Sequence, residues 1–212
     1  KIRSSKLFTD KTIGLVPTMG ALHKGHIALI RKSIKQNDIT VVTIFVNPTQ
    51  FNKKEDLKKY PNRMEDDLKI LNELKVDFLL NPEYKDIYPD NYKYKVVESD
   101  FSQLLCGKYR PGHFDGVLTV VLKLLNIVKA NRAYFGEKDY QQLELIKGMV
   151  EAFFIDTKII SQPTVRTKEG LALSSRNLRL SDDENTLAIE FPKLLASSLS
   201  VDKIKSKLKS KG

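Results

Sequence analysis

The sequence predicts an α/β fold with a doubly wound parallel sheet and a small second domain at its C-terminal end. Apolar runs typical of buried strands alternate with segments in which apolar residues recur at helical spacing. Two of the runs end at Pro48 and Pro82, and proline cannot continue a central strand. Strands that alternate with crossover helices form parallel sheets covered on both faces.

The elements follow one another from the N-terminal end. Residues 12–16 form an apolar run with β-branched residues, and Ile27, Ile30 and Ile34 then fall on one helical face. The nearly continuous apolar run at 38–46 predicts a strand buried on both faces. The later elements are a helix with Met64, Leu68, Leu71 and Leu74, a strand at 76–80, a longer helix after Gly116 with Val117, Val120, Val121, Leu124, Leu125 and Val128, a strand at 132–135, a helix with Leu143, Ile146 and Val150, and a strand at 157–160.

The pattern changes near residue 166. Residues 168–170 predict a turn, 171–177 predict a serine-rich loop, and helices are expected from about Asp182. We therefore expect a Rossmann-like domain at residues 1–165 and a small C-terminal domain at residues 166–212.

Length, composition and charge limit the classes of protein to which this chain can belong. The 212 residues, 41% of them hydrophobic, suffice for one sizeable core, and no apolar run approaches the ~20 residues of a membrane span. Residues 1–6 lack the apolar core of a signal peptide, and the single cysteine, Cys106, predicts a cytoplasmic protein without an internal disulfide. The net charge of +10 favours anionic small molecules as ligands. Nucleic acid is the minor alternative, because most basic residues are interleaved with acidic ones and only the stretch 203–211 is basic without any acidic residue.

Residues 17–26 (PTMGALHKGH) predict a turn from a strand into a helix that begins near His23. A helix N-terminus attracts phosphate, because it presents unpaired N–H groups and partial positive charge. Gly20 and Gly25 let backbone approach a ligand closely, and His23 and His26 can donate hydrogen bonds to phosphate oxygens. The stretch predicts a nucleotide site, although a lone motif of this kind is more often a capped helix start with surface imidazoles.

Three further polar stretches also follow predicted strands, at residues 47–51, 136–142 and 163–166. The carboxyl ends of parallel strands meet at one edge of a sheet, and ligands bind there at a topological switch point. We therefore expect the four stretches to form one site.

Five stretches, taken together, resemble the pantothenate synthetase (pantoate–β-alanine ligase) family, within the nucleotidyltransferase superfamily that carries an HxGH signature. They occur in family order at residues 17–26, 44–51 (IFVNPTQF), 110–114 (RPGHF), 135–142 (FGEKDYQQ) and 174–177 (SSRN). The resemblance implies ATP-dependent condensation of (R)-pantoate with β-alanine through pantoyl adenylate. It also implies that Mg²⁺ accompanies ATP, that AMP and pyrophosphate are released, and that the protein is a homodimer without a metal site of its own.

The resemblance also implies the roles of individual residues. The catalytic set is His26, as proton donor, with His23, Lys138 and Arg176. The implied ATP-binding residues are Met19, Gly20, Ala21, Leu22, His23, Lys24, Gly25, His26, Gly136, Glu137, Lys138, Asp139, Val165, Leu173, Ser174, Ser175 and Arg176. Gln50, Gln142 and Met19 are implied to bind pantoate or β-alanine.

Residue chemistry suits these roles. Lys138 supplies a point charge for phosphate, and Asp139 can accept from ribose hydroxyls or a metal-bound water. Ser174 and Ser175 offer hydroxyl donors beside Arg176, whose guanidinium suits bidentate phosphate contact, on a loop expected to close over the triphosphate.

The sequence departs from the family pattern at three places. Cys106 stands where many members have Glu, and we expect it to be a small buried apolar residue. Leu173 stands where Met is common, and similar volumes predict little effect. The chain stops soon after the helix at Asp182, whereas members continue for some tens of residues, so the second domain is expected to be incomplete.

Two alternatives remain from the residues. Another HxGH nucleotidyltransferase would transfer a nucleotide to a phosphorylated acceptor and should need extra Arg or Lys at the second pocket, where this chain offers Gln50 and Gln142. A basic nucleic-acid-binding domain would show steep salt dependence of polynucleotide binding and no ATP turnover.

Overall fold

The structure is a computed structural model that describes residues 8–210. The predicted absence of a signal peptide at residues 1–6 and the end of the basic tail, Lys211, lie outside the described residues. Within them, five parallel strands form one sheet in the order β3-β2-β1-β4-β5. The strands are β1 (Ile13–Thr18), β2 (Ile39–Ile44), β3 (Phe78–Leu80), β4 (Arg132–Gly136) and β5 (Lys158–Gln162).

Helices connect the strands and continue beyond the last one. The α-helices of residues 8–210 are α1 (Lys24–Gln36), α2 (Lys54–Lys58), α3 (Met64–Glu73), α4 (Tyr84–Ile87), α5 (Cys106–Tyr109), α6 (His113–Val128), α7 (Tyr140–Ala152), α8 (Asp182–Leu195) and α9 (Val201–Lys209). Short 3-10 turns lie at Pro48–Gln50, Phe101–Gln103, Glu137–Asp139 and Ser175–Arg179. In this described part of the chain, no helix is both long enough and apolar enough to cross a membrane.

Both faces of the sheet are covered, which confirms the predicted doubly wound α/β fold. Ile13 and Leu15 of β1 pack in one cluster with α6 and α7, whereas Val16 packs in a second cluster with α1 and α3. The chain moves from β1 to β3 in one direction and then places β4 on the other side of β1. The crossovers therefore diverge between β1 and β4, and a crevice opens at the carboxyl ends of these two strands.

Helix α6 begins at His113, earlier than the predicted start after Gly116. Gly116 lies inside the helix, and a Cβ at this position would stand 2.5 Å from the carbonyl oxygen of Thr49. The glycine therefore lets α6 approach the turn at Pro48–Gln50 closely, rather than marking the end of a loop.

The segment after β5 has the predicted pattern. Arg166 and Ala172 form an antiparallel bridge around the turn at 168–170. Helix α8 begins at Asp182, because Ser181 and Glu184 form a capping box at its start. The division into domains at residues 165 and 166 stays a prediction.

Candidate active site

A cavity of about 250 Å³ lies at the carboxyl edge of the sheet, between β1 and β4. Fourteen of the predicted site residues line it: Met19, His23, Gly25, His26, Gln50, Gly136, Lys138, Asp139, Gln142, Val165, Leu173, Ser174, Ser175 and Arg176. The structure does not bring five others to the cavity wall, namely Gly20, Ala21, Leu22, Lys24 and Glu137. The four stretches after the strands thus meet in one site.

The loop between β1 and α1 is held from behind by a carboxylate. Gly20 and Ala21 have φ values of 79° and 49°, in the left-handed region. Oxygens of the buried Asp67, on α3, accept from the backbone N–H groups of Ala21 at 2.8 Å and of Leu22 at 2.7 Å. These two N–H groups already have Asp67 as their partner, so they are not left as donors for a ligand. Asp67 was not predicted, because in the sequence it is one of three acids that open a helix.

The first turn of α1 orients both histidines. His23 is the N-cap, and its Nδ1 accepts from the backbone N–H of Gly25 at 3.1 Å. The Nδ1 of His26 accepts in turn from the backbone N–H of His23 at 3.3 Å. Because both Nδ1 atoms accept, the proton of each neutral ring is on Nε2. The capped helix start expected for a structural motif is therefore present, and it leaves both Nε2–H groups as donors.

Burial keeps these two rings uncharged. It lowers the pKa of His26 to about 3, with the charges of His23 and Lys138 as smaller causes in the same direction. Burial and then the charge of Lys138 lower the pKa of His23, and Asp139 opposes them. Near neutral pH the pair therefore offers hydrogen bonds rather than positive charge.

A buried amide network orients Gln50. Asn47 is 1% exposed, and its Nδ2 donates to the side-chain oxygen of Gln50 at 3.1 Å. The Oδ1 of Asn47 accepts from the hydroxyl of Tyr88 at 2.9 Å and from that of Thr49 at 3.0 Å. The Gln50 Nε2 then donates to the sulfur of Met19 at 3.2 Å. Gln50 is thus a fixed part of the wall and not a solvated turn residue.

Arg110 and His113 form the wall beside Gln50. The Nδ1 of His113 is 2.8 Å from the backbone oxygen of Gln50, and its Nε2 is 3.1 Å from Nη1 of Arg110. Burial lowers the pKa of His113 to about 4, so the ring is neutral near pH 7. Neither residue was assigned a role from the sequence. The signal was present, since both belong to the RPGHF stretch.

Gln141 and Gln142 are adjacent at the start of α7 but lie in different surroundings. Gln142 lines the cavity, as predicted. Gln141 is buried, donates to the backbone oxygens of Phe101 and Leu104, and accepts from the N–H of Cys106 at 3.0 Å.

Arg176 lines the cavity and is held by an ion pair. Its Nη2 and Nε donate to both oxygens of Asp56 on α2, at 2.7 and 3.3 Å, and Nη1 of Arg179 donates to the same carboxylate at 2.8 Å. The hydrogen bond from Arg176, assisted by Arg179 and opposed by burial, lowers the pKa of Asp56 to about 2. The Arg176 guanidinium also lies over the rings of Tyr60 and Phe51, at 5.5 and 5.9 Å. We call the two arginines with Asp56 the Asp56 clasp.

The two serines of this segment are engaged within the protein. Ser174 accepts from the backbone N–H of Arg176 at 3.3 Å and caps the turn at Ser175–Arg179. The hydroxyl of the buried Ser175 donates to the backbone oxygen of Ala21 at 3.1 Å. Ser175 therefore ties this segment to the β1–α1 loop, where a phosphate donor had been predicted.

Cys106 is exposed, so the prediction of a small buried apolar residue is wrong. Its neighbour Gly107 is the buried residue of this turn, and a Cβ there would collide with the backbone of Ser102. Because Gly107 has to face inward, Cys106 at the first position of α5 points outward.

Comparison with known proteins decides the family. A family model described as pantoate-beta-alanine ligase matches residues 1–211. The chain belongs to this family. Proteins named pantothenate synthetase from Bdellovibrio bacteriovorus and Legionella pneumophila are 53% and 51% identical to it, over 95% and 98% of this chain and 80% and 82% of their own lengths.

Solved structures of family members have the same fold. Pantoate-beta-alanine ligase from Francisella tularensis, described as complexed with beta-gamma ATP and beta-alanine, matches with a TM-score of 0.95 at 49% identity, covering 100% of this chain and 82% of that one. Pantothenate synthetase from Thermus thermophilus matches with a TM-score of 0.87 at 40% identity, over 94% of this chain and 75% of that chain. Within residues 8–210, no group of three His, Cys, Asp or Glu side chains is placed to hold a metal ion.

Proposed function

We propose that this protein catalyses the two-step reaction of its family, in which (R)-pantoate is adenylated by ATP and the pantoyl group is transferred to β-alanine. The observation that carries the proposal is one cavity whose lining holds the two histidines, His23 and His26, together with the two amides of Gln50 and Gln142. The first pair suits phosphate oxygens, and the amides suit a hydroxy acid. The Francisella relative, described as complexed with beta-gamma ATP and beta-alanine, supports ATP and β-alanine as substrates.

In the first step a carboxylate oxygen of pantoate attacks the α-phosphorus of ATP. A new O–P bond forms, the bond to the bridging oxygen breaks, and pyrophosphate leaves with the electron pair. Negative charge grows on the phosphate oxygens, and catalysis of such steps depends on positioning and electrostatics. The Nε2–H donors of His23 and His26, with the ammonium of Lys138, are suited to stabilise that charge.

In the second step the amine of β-alanine attacks the acyl carbon of pantoyl adenylate. The C–N bond forms, the bond from carbon to the AMP oxygen breaks, and the proton lost by nitrogen passes to water. The products are pantothenate and AMP. The same phosphate donors can serve here, because the leaving oxygen belongs to the α-phosphate.

Gln50 and Gln142 are proposed to orient pantoate. An amide offers donors to a carboxylate or hydroxyl oxygen and an acceptor to a hydroxyl hydrogen. It holds the reacting carboxylate without the ion pair that an arginine would form, so the oxygen stays nucleophilic. Met19, in contact with Gln50, and Phe51 are suitable apolar neighbours for the gem-dimethyl group.

Three further features of the family are proposed for this protein. Mg²⁺ enters as the ATP complex, since it binds mainly through substrate phosphates and keeps several waters, and Asp139 accepts from ribose hydroxyls or a metal-bound water. The protein is proposed to be a homodimer, which light scattering at micromolar concentration would test. The third proposed feature is a location in the cytoplasm, whose reducing environment fits a chain with a single cysteine.

The experiment is ATP–pyrophosphate exchange with and without pantoate. We expect exchange only with pantoate, and AMP formation only when β-alanine is added. The variants Gln50→Glu and Gln142→Ala should each raise the KM for pantoate at least about tenfold, through like charge and through unpaired substrate hydroxyls, with ATP affinity nearly unchanged. Exchange that ignores pantoate would contradict the function, and parent KM values in both variants would contradict the pantoate assignment alone.

A further inference from the structure

Three cationic side chains line the cavity, and they differ in what balances their charge. Nζ of Lys138 is 3.3 Å from a carboxylate oxygen of Asp139, and Arg176 forms its two-point contact with Asp56. Arg110 forms no ion pair with any carboxylate of residues 8–210. Its charge is thus the least compensated of the three.

Neutral groups hold the Arg110 guanidinium in place. Burial lowers the pKa of His113 to about 4, which favours an uncharged ring near neutral pH, and its Nδ1 donates to the backbone oxygen of Gln50. The Nε2 of His113 is therefore the acceptor for Nη1 of Arg110 at 3.1 Å, and Nη2 of Arg110 is 3.4 Å from the same backbone oxygen. These contacts orient one part of the guanidinium and leave its other N–H groups for a ligand.

The surroundings of Arg110 favour an anion. Burial and then the positive charge of Arg176 lower the pKa of Arg110, with Asp56, Cys106 and Asp139 as smaller opposing causes, so a bound anion would stabilise the charged guanidinium. Among the cations that line the cavity, Lys138 acts on the histidine pair, and Arg176 acts on Arg110.

We propose that Arg110 binds the carboxylate of β-alanine, an inference that rests on the proposed function. The two carboxylates of the reaction have opposite requirements. That of pantoate is the nucleophile, which an ion pair would weaken, whereas that of β-alanine keeps its charge throughout. The planar fork of arginine suits such a spectator carboxylate. Arg110 contacts the backbone of Gln50, so this fork lies beside the residue proposed to orient pantoate. In β-alanine, two methylenes separate the carboxylate from the amine that forms the new bond.

The experiment compares the two half-reactions in Arg110→Ala and Arg110→Lys. In Arg110→Ala we expect pantoate-dependent ATP–pyrophosphate exchange within about threefold of the parent, and a KM for β-alanine at least about 30-fold higher, as for loss of one partner of a charge pair. Arg110→Lys should fall between. Lys108→Ala, which removes an exposed cation from the same segment, should leave both half-reactions unchanged.

A second measurement uses 3-aminopropanamide, which has the amine of β-alanine but no carboxylate. The parent should prefer β-alanine at least about 30-fold in kcat/KM, and Arg110→Ala should lose most of that preference. An unchanged preference in Arg110→Ala, with exchange intact, would overturn the Arg110 assignment and leave the proposed function standing. Lost exchange in a folded Arg110→Ala would also overturn it, because Arg110 would then belong to the first step. No exchange in the unaltered protein would contradict the proposed function and this inference with it.

Discussion

Two walls of the cavity are built in opposite ways. At the start of α1, contacts between residues two and three positions apart orient His23 and His26. The Asp56 clasp instead joins residues 120 and 123 positions apart through charged groups. The histidine wall presents uncharged hydrogen-bond donors. In the clasp, both arginines are paired with a carboxylate of the protein itself.

The two walls suit different tasks. A capped first turn fixes its donors before any ligand arrives, and preorganised donors are the most effective ones in catalysis. The clasp is partly exposed, with 41% of the Arg176 side chain and 28% of the Asp56 side chain accessible. Pairs of this kind contribute about 1 kcal/mol or less to stability, so Arg176 can exchange Asp56 for a phosphate at small cost.

The largest effect is expected at the histidine wall. His26→Ala should lower the rate of pantoyl adenylate formation at least about 100-fold, because one preorganised donor to the phosphate is lost. Pantoate-dependent exchange measures this rate, and Arg31→Ala, an exposed change on the same helix, is the control.

Nitrogen-15 NMR of the parent protein tests the cause of that effect. Both rings should be Nε2–H tautomers at pH 7, with His26 taking up its second proton only near pH 3. Exchange near the parent rate in His26→Ala, or a charged His26 at pH 6, would break the comparison between the two walls.

A smaller effect is expected behind the histidine wall, at Asp67. Asp67→Asn turns an amide toward the N–H groups of Ala21 and Leu22, so the free energy of unfolding should fall by about 1–3 kcal/mol. Adenylate formation should fall as well, since the loop carries His23. Chemical denaturation measures the first effect. The exposed Asp66→Asn should change stability by less than about 0.5 kcal/mol, and equal losses in the two variants would refute the role of Asp67.

The clasp is expected to affect the binding of ATP more than the stability of the fold. Arg176→Ala should raise the KM for ATP about tenfold and that for β-alanine much less, because it removes a charge-assisted phosphate contact. Arg179→Ala is the matched control, since Arg179 shares Asp56 but does not line the cavity. If both variants used ATP like the parent, Arg176 would have no part in the nucleotide site.

The smallest effect is the pH dependence of the clasp. The pKa of Asp56 is about 2 in the folded state, below its ordinary value of 3.8, so its contribution is present above about pH 4 and is lost as the pH falls toward 2. Solvent exposure limits the contribution to less than about 1 kcal/mol. Unfolding at several pH values should show a shallower fall in Asp56→Asn than in the parent. A fall of the same slope in both proteins would show that the clasp does not stabilise the fold.

The sequence by itself determined the sheet, its long helices and the capped start of α1. These follow from interactions between near neighbours, namely the spacing of Ile27, Ile30 and Ile34 and the reach of His23 to Gly25. It also determined that the strand-end stretches share one site, because all strands of the described sheet are parallel and their carboxyl ends meet at one edge.

Only the tertiary structure decided which polar groups are left for a ligand. Asp67 takes the N–H groups of a loop 45 and 46 residues away, and Ser175 turns its hydroxyl to Ala21 across 154 residues. Arg110 is oriented through His113 and the backbone of Gln50, which lies 60 residues before Arg110. Hydrogen bonds and charges between groups so distant in the chain depend on the packed positions of whole elements, which local spacing does not encode.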